Sequence, residues 1–126
     1  MKGNSMTVVV PTTFSLVMAG GVDWQIGFTL FQIVDGVKEP IDLTGYTAKL
    51  QMRLAYDSPD AVLTLTDGAG ITLGGAAGTV LVHATYEQVN AIPAETYEIG
   101  LQIMSSGEVK YSLLEQQIDK LETAVQ

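Results

Sequence analysis

The sequence contains no cysteine and a single histidine, His83, among its 126 residues. The absence of cysteine excludes a disulfide framework, thiol catalysis and a cysteine-rich zinc site, and it leaves the redox compartment undetermined. A transition-metal site would have to depend on carboxylates, and none of them cluster at ligand spacing. We therefore expect no metal and no cofactor, and a core that is held together by packing.

Basic residues are also scarce. Six Lys and Arg stand against fourteen Asp and Glu, so the net charge is −8, and the basic residues form no cluster along the sequence. A protein that binds a phosphate backbone needs cations to displace counterions. The charge balance therefore disfavours nucleic acid as a partner, and it disfavours an anionic membrane surface for the same reason.

Long apolar runs are missing as well. Nowhere do about eighteen apolar residues follow one another, as a membrane-spanning helix requires. The run Val8-Val9-Val10 before Pro11 is too short for the apolar region of a signal peptide. We expect the chain to be made and kept in a soluble compartment, without a signal peptide, unless a particle carries it out. We expect the native start to be Met1 or Met6, and in the second case residues 1–5 would be a leader or a cloning remnant.

Charge of either sign is low overall, with 16% charged and 47% hydrophobic residues, whereas soluble domains carry roughly 25% charged residues. Two interpretations stay open: a surface covered by another subunit, or a thick sandwich core rich in Val, Leu and Ile. A chain of this length forms one domain with one core. We expect residues 1–12 to be an N-terminal arm, with an exchanged strand as one option, and residues 13–126 to be a single domain.

Strand periodicity dominates what is present. From residue 46 to residue 54 every even position is apolar and every odd position polar, which predicts a strand with one wet face. Asp35-Gly36 predicts a hairpin turn. The apolar phase switches between Leu30 and Phe31, as a β-bulge or a barrel-like corner requires. Seven to nine short strands, spaced about 8–12 residues apart, predict an all-β fold, an antiparallel β-sandwich of immunoglobulin-like or jelly-roll-like type.

Two segments bear on helical structure. Thr85 and Gln88 have the spacing of a capping box, which predicts one short helical turn that ends before Pro93. Residues 119–126 fit either a strand or a helix.

No candidate for enzyme chemistry has support from its neighbours in sequence. His83 lacks an evident nucleophile or metal partner, so a structural or surface role is favoured. Glu95 and Glu98 fall on opposite faces of an extended chain, unlike a glycosidase pair. We therefore expect that the chain is not an enzyme.

No ligand-binding motif has support from its neighbours in sequence either. The spacing of Asp57, Asp60 and Asp67 does not match a calcium-binding loop, so turn chemistry is favoured. The glycine run from Gly74 to Gly78 has neither the lysine nor the helix of a phosphate loop. Three aromatic residues, Trp24, Tyr46 and Tyr97, begin strands on the apolar phase, where core packing is favoured over a sugar-stacking platform.

The segment Pro40-Ile41-Asp42-Leu43-Thr44-Gly45, followed by the alternating strand, resembles a signature of small β-sandwich domains in tailed-phage virion proteins. The relatives are the N-terminal domains of baseplate upper proteins and tail-fibre adaptors. The resemblance extends through Ile71-Thr72-Leu73, residues 84–97 and the closing hairpin that ends at Leu113-Leu114-Glu115. It covers roughly residues 20 to 119, most of the chain.

This resemblance implies a non-enzymatic virion structural protein, a baseplate or tail-fibre adaptor that acts by protein–protein assembly. Its expected partners are copies of itself, in a trimer or larger ring, and other virion proteins. Its expected location is the virion, after synthesis in the cytoplasm of the bacterial host. The absence of a fibre or receptor-binding extension after Gln126 departs from longer family members. A capsid decoration or cement protein is therefore the first alternative, and a carbohydrate-binding module is the second.

Two kinds of segment are the candidate interaction residues. The N-terminal arm is suited to adding a strand to a neighbouring sheet, and two glycine-rich loops offer exposed backbone. The predicted contact residues are Thr7, Val8, Val9, Val10 and Pro11 of the arm, Asp67, Gly68 and Gly70 of the first loop, and Gly74, Gly75 and Gly78 of the second.

Overall fold

The structure is a computed structural model, and it describes residues 5–7 and 16–122. Within these ranges there are eleven strands, one five-residue helix and one 3₁₀ turn. The elements are β1 Ser5–Thr7, β2 Val17–Ala19, β3 Trp24–Thr29, β4 Phe31–Val34, β5 Val37–Pro40, β6 Thr47–Arg53, β7 Leu63–Asp67, β8 Gly70–Leu73, the 3₁₀ turn Gly75–Ala77, β9 Thr79–Ala84, α1 Tyr86–Asn90, β10 Thr96–Met104 and β11 Lys110–Leu121.

The strands form two sheets. Eight belong to one sheet in the order β2-β11-β10-β6-β7-β8-β9-β3, and three form a second sheet in the order β1-β4-β5. The two edge strands of the larger sheet, β2 and β3, follow each other in sequence and are joined by residues 20–23. The sheet therefore turns back on itself, which confirms the all-β, sandwich-like prediction. Pairing is antiparallel apart from β2 with β11 and β7 with β8.

There are more strands than the predicted seven to nine, partly because one apolar stretch is divided between the two sheets. β3 pairs with β9 in the larger sheet, whereas β4 pairs with β5 in the smaller. Leu30 lies between them and is fully buried. Of the two alternatives predicted from the switch of apolar phase, a β-bulge or a corner, the structure shows the corner, because the strands on either side of Leu30 belong to different sheets.

The core is filled by alternate residues of the larger sheet. In β6, Ala48, Leu50 and Met52 point inward and are buried. Leu54, placed on the apolar face by the sequence pattern, is 55% exposed because β6 ends at Arg53. The aromatic prediction holds: Trp24 and Tyr97 are buried, and Tyr46 packs partly against the core.

Local turn chemistry also agrees with the sequence. Asp35 and Gly36 have φ values of 51° and 79°, as the hairpin turn predicted for this dipeptide requires. The Thr85 hydroxyl accepts a hydrogen bond from the backbone N–H of Gln88 (3.3 Å), and the Gln88 side chain accepts one from the backbone N–H of Thr85 (2.9 Å). This capping box begins α1, which ends before Pro93 as predicted.

The chain ends resolve one open alternative. β11 continues to Leu121, so residues 119–121 are strand and not helix. Glu122 follows the strand, and residues 123–126 lie outside the described residues. Most of the predicted N-terminal arm, residues 1–12, also lies outside them, and the structure shows β1 ending at Thr7 and β2 beginning at Val17.

Candidate assembly surface

The three-stranded sheet of β1, β4 and β5, called the ribbon sheet below, lies outside the core. Every strand of the larger sheet contains at least one buried side chain. In contrast, the side chains of β4 and β5 are all exposed or half-buried. Among them are Ile33, 40% exposed, and Val37, 59% exposed. The hairpin thus carries apolar side chains without burying any of them.

The pairing register defines the two faces of this hairpin. Phe31 pairs with Pro40 and Ile33 pairs with Lys38, so these four side chains share one face. The Lys38 ammonium lies 4.6 Å from the centroid of the Phe31 ring, a cation–π contact. The result is a small apolar patch with one cation above it. The other face is mixed and consists of Gln32, Val34, Val37 and Glu39.

Backbone hydrogen bonds attach the base of the hairpin to the core. The N–H of Ile41 donates to the carbonyl of Leu30 at 2.9 Å, and the N–H of Leu30 donates to the carbonyl of Gly78 at 2.8 Å. Leu30 and Ile41 are both buried. Since the two residues that flank the hairpin are fixed in this way, the ribbon sheet projects from a rigid base.

The motif Asp42-Leu43-Thr44-Gly45 connects this base to β6. One Asp42 carboxylate oxygen accepts hydrogen bonds from the Thr44 N–H at 3.0 Å and from the Thr44 hydroxyl at 2.6 Å. These two bonds lower the pKa of Asp42 below its ordinary value of 3.8, the hydroxyl bond contributing most. The N–H of Leu43 donates to the carbonyl of Gly75 at 2.9 Å. The motif that carries the phage resemblance therefore has a structural role here.

The predicted contact residues of the N-terminal arm are only partly described by the structure. Thr7 lies in β1, where its backbone is the register partner of Phe31 in the same chain. Val8, Val9, Val10 and Pro11 lie outside the described residues.

Gly68 and Gly75, one from each glycine-rich loop, line a common depression with Thr44 and Gly45. The fold thus brings both loops to one end of the sandwich.

Several of these loop residues have local structural roles. The Asp67 carboxylate accepts a hydrogen bond from the N–H of Ala48 at 2.9 Å and so extends the bonding of β6 beyond its register with β7. A Cβ on Gly70 would lie 2.6 Å from Leu65 Cδ2, and one on Gly74 would overlap the Thr79 hydroxyl. Local packing therefore explains these two glycines. The interaction role assigned to the loops stays a prediction.

His83 has a structural environment of the kind expected from the sequence. Its Nε2 lies 2.7 Å from a carboxylate oxygen of Asp23, whose other oxygen accepts the N–H of Tyr86 at 2.7 Å. The bond to His83, followed by the bond to Tyr86, lowers the pKa of Asp23. Asn90 accepts the N–H of Gly21 at 2.8 Å. Together these contacts attach the β2–β3 connection to α1.

In the part of the chain that the structure describes, no three or more His, Asp or Glu residues come together in an arrangement that could hold a metal ion. Among the helices described there, none has the length and apolar character needed to cross a membrane.

The apolar residues of β4 and β5 were not among the contact residues predicted from the sequence. The signal was present, since the apolar phase switches at Phe31 and the following Asp-Gly turn is flanked by Val34 and Val37. Periodicity alone does not say whether a second apolar face packs on the core or stands apart from it.

No protein-family model and no curated protein matches this chain. Among solved structures, the chain is similar to a mutant of the SrpA adhesin from Streptococcus sanguinis, with 13% identity and a TM-score of 0.46 over 98% of this chain. It spans 61% of that adhesin chain. It is also similar to AggA, the major subunit of aggregative adherence fimbriae type I from Escherichia coli, with 15% identity, a TM-score of 0.37, and coverage of 95% of this chain and 97% of that one. Both TM-scores are below 0.5, so neither similarity indicates a function for this chain.

Proposed function

We propose that this chain is a non-enzymatic structural subunit that acts by protein–protein assembly, with the ribbon sheet as its main contact surface. The observation that carries the proposal is the hairpin β4–β5, which bears Phe31, Ile33, Val34 and Val37 and buries none of them. A small sheet without a core of its own is marginal in water. Exposed apolar residues grouped on one element mark contact sites.

A neighbour that covers this sheet would supply the burial that the hairpin lacks in the single chain. The rigid base formed by Leu30, Ile41 and Gly78 supports this role, because a projecting element transmits a fixed orientation only if its attachment is fixed. Copies of this chain are the proposed first partners, in a trimer or larger ring.

The proposed setting is the virion of a tailed phage or prophage, where the chain would be a baseplate or tail-fibre adaptor in contact with other virion proteins. The support is the resemblance of the Pro40–Gly45 motif, and of the strand that follows it, to baseplate upper proteins. In this chain the hydrogen bonds of Asp42 and Leu43 give that motif a structural role beside the base of the hairpin.

The assembly surface is tested by charging it. In the double variant Ile33→Lys/Val37→Lys, we expect the chain to remain folded by circular dichroism and to sediment as a smaller species than the wild type. The matched control is Val109→Lys, an apolar residue 50% exposed beside a different hairpin, which should leave the assembly unchanged. A wild type that is monomeric at every concentration would contradict self-assembly, and a double variant that assembles normally would exclude the ribbon sheet.

The virion setting is tested by immunogold electron microscopy of phage particles with an antibody against this chain. Label at the tail end would support the adaptor proposal. Label distributed over the head would replace it with capsid decoration, and an absence of label from intact particles would exclude both.

A further inference from the structure

A second surface, separate from the ribbon sheet, lies on the outer face of β6, β10 and β11. Gly100 is in the middle of β10, where it pairs with Gln51 of β6 and Glu115 of β11. In antiparallel pairs, directly opposed residues share a face. The outward positions around Gly100 are all polar: Lys49, Gln51, Arg53, Glu98, Gln102, Ser112, Glu115 and Gln117.

The missing side chain at Gly100 forms the floor of a shallow depression of about 190 Å³, with Tyr56 at its edge. Nothing in the fold requires glycine at this position. Its φ is not in the positive range, and a Cβ there would meet only the Leu114 carbonyl, at an ordinary contact distance of 3.8 Å. Glycine weakens the interior of a strand and often marks a place where a ligand comes close to the backbone.

One wall of the depression is held in place by hydrogen bonds. Arg53 donates from Nη1 to the Ser58 carbonyl at 2.9 Å and from Nη2 to the Gln51 side chain at 3.1 Å. The Tyr56 hydroxyl bonds to Glu98, and this bond is the main cause of the raised pKa of Tyr56. Side chains that are already fixed lose little conformational entropy when a ligand binds.

The opposite wall offers groups that are not engaged. The side chains of Lys49, Gln102 and Glu115 make no hydrogen bond or ion pair with any residue in the described ranges 5–7 and 16–122. An ammonium, an amide and a carboxylate supply both donors and acceptors around the glycine. A ligand with several hydroxyl groups, each able to donate and to accept, matches such a mixture.

The charge around the depression is balanced although the chain carries a net charge of −8. Lys49 and Arg53 stand against Glu98 and Glu115, so no strong local field favours an ion. The Tyr56 side chain is 63% exposed and presents a ring on which the apolar face of a sugar can stack.

From these features we propose that the depression over Gly100 binds a neutral carbohydrate, with Gln51, Gln102 and Glu115 as its hydrogen-bonding groups and Tyr56 as its stacking surface. This site differs from the carbohydrate-binding role considered from sequence for Trp24, because Trp24 is buried in the core. It does not depend on the ribbon sheet or on assembly.

The test is a titration of ¹⁵N-labelled full-length chain with neutral probes: oligosaccharides of glucose, of galactose and of N-acetylglucosamine. We expect at least one of them to shift the backbone amides of Gly100 and Gln102 and the side-chain amide of Gln51. Gly100→Val fills the floor and should weaken that binding by roughly tenfold or more. Its control is Gly27→Val, a glycine in β3 whose Cβ would also meet only ordinary contacts, 3.6 Å from Leu81 Cδ1.

Gln102→Ala provides a second variant that keeps the backbone unchanged, so the test does not depend on whether Gly100→Val folds. The proposal would be overturned if no neutral probe caused a shift at concentrations up to about 20 mM, if the shifts were confined to other residues, or if both variants bound the probe as tightly as the wild type. The same holds if these amides shift only as the chain self-associates at rising concentration, because the face would then be a protein contact.

Discussion

Gly78 and Leu30 are in direct backbone contact at the base of the ribbon sheet. The Gly78 carbonyl accepts the N–H of Leu30 at 2.8 Å, and a Cβ on Gly78 would lie 2.7 Å from the Leu30 carbonyl oxygen and 3.0 Å from Ile41 N. Gly78 also has a φ of +71°. Both the backbone conformation and the available space therefore require glycine, and the hairpin depends on this position for its attachment to the core.

Gly78→Ala should lower the free energy of unfolding by about 2–4 kcal/mol, from the positive φ and from overpacking together. Gly36→Ala is the matched control, because Gly36 has a φ of +79° but no neighbouring atom within 4 Å of its Cβ position. That control should cost only about 1–2 kcal/mol. Urea unfolding of both variants measures the difference, and equal losses would show that the contact with Leu30 is unimportant.

Tyr97 closes the loop that follows α1. Its hydroxyl donates to the carbonyl of Pro93 at 2.8 Å, as in the tyrosine corner of β-sandwiches. Tyr97→Phe should keep the fold and lower stability by about 1 kcal/mol, since it removes one partly buried hydrogen bond. Tyr86→Phe, at a side chain 52% exposed, should change stability by less than about 0.5 kcal/mol. Thermal unfolding compares the two, and an equal effect would contradict this role for Tyr97.

Lys120 is buried, and its ammonium donates to the carbonyl of Ile92 at 2.9 Å. This bond joins the end of β11 to the segment after α1. Lys120→Met keeps the apolar stem and loses the bond, so we expect a loss of about 1–2 kcal/mol in chemical denaturation. Lys110→Met, at an exposed position of the same strand, should be close to neutral. A Lys120→Met variant as stable as the wild type would mean that the bond contributes little.

Asp23 and Asp42 predict how stability depends on pH. Both carboxyls have a pKa below the ordinary value of 3.8 in the folded chain, because His83 and Tyr86 bond to Asp23 and Thr44 bonds to Asp42. A carboxyl with a lowered folded pKa stabilises the fold above its unfolded pKa, and this stabilisation is lost as the pH falls through the folded pKa. We therefore expect the melting temperature to fall below about pH 4.

The double variant Asp23→Asn/Asp42→Asn should show a shallower fall over that acid range. Asp60→Asn, at an exposed turn position, serves as the control and should follow the wild type. The melting temperature is measured between neutral and strongly acidic pH. If the double variant loses stability as steeply as the wild type, these two carboxyls are not the source of the acid sensitivity.

The strands and turns were largely predictable because they depend on neighbours close in sequence. The alternation that precedes Arg53 gives the buried residues of β6, the spacing of Thr85 and Gln88 gives the cap of α1, and Asp35-Gly36 gives the β4–β5 turn. The predicted ends of the strands were less accurate. Leu54 was placed on the buried face, but it is exposed because β6 ends at Arg53, and where a strand ends depends on its partner strands.

The candidate surfaces were not predictable in this way. An apolar residue such as Ile33 follows the same rule of alternation whether its face meets a core or solvent. Gly100 is one of 13 glycines in the sequence, and only the positions of Gln51 and Glu115 beside it, brought from other strands, make it the floor of a polar depression.

The sequence by itself therefore determined the all-β class, the hairpin turns, the cap of α1 and the apolar faces, since each arises from propensity and periodicity over a few residues. Only the tertiary structure decided that β4 leaves the larger sheet after Leu30, that Gly78 supports the resulting hairpin and that Asp23 pairs with His83. These relationships join residues far apart in the chain, and their energies depend on distances that local sequence does not encode.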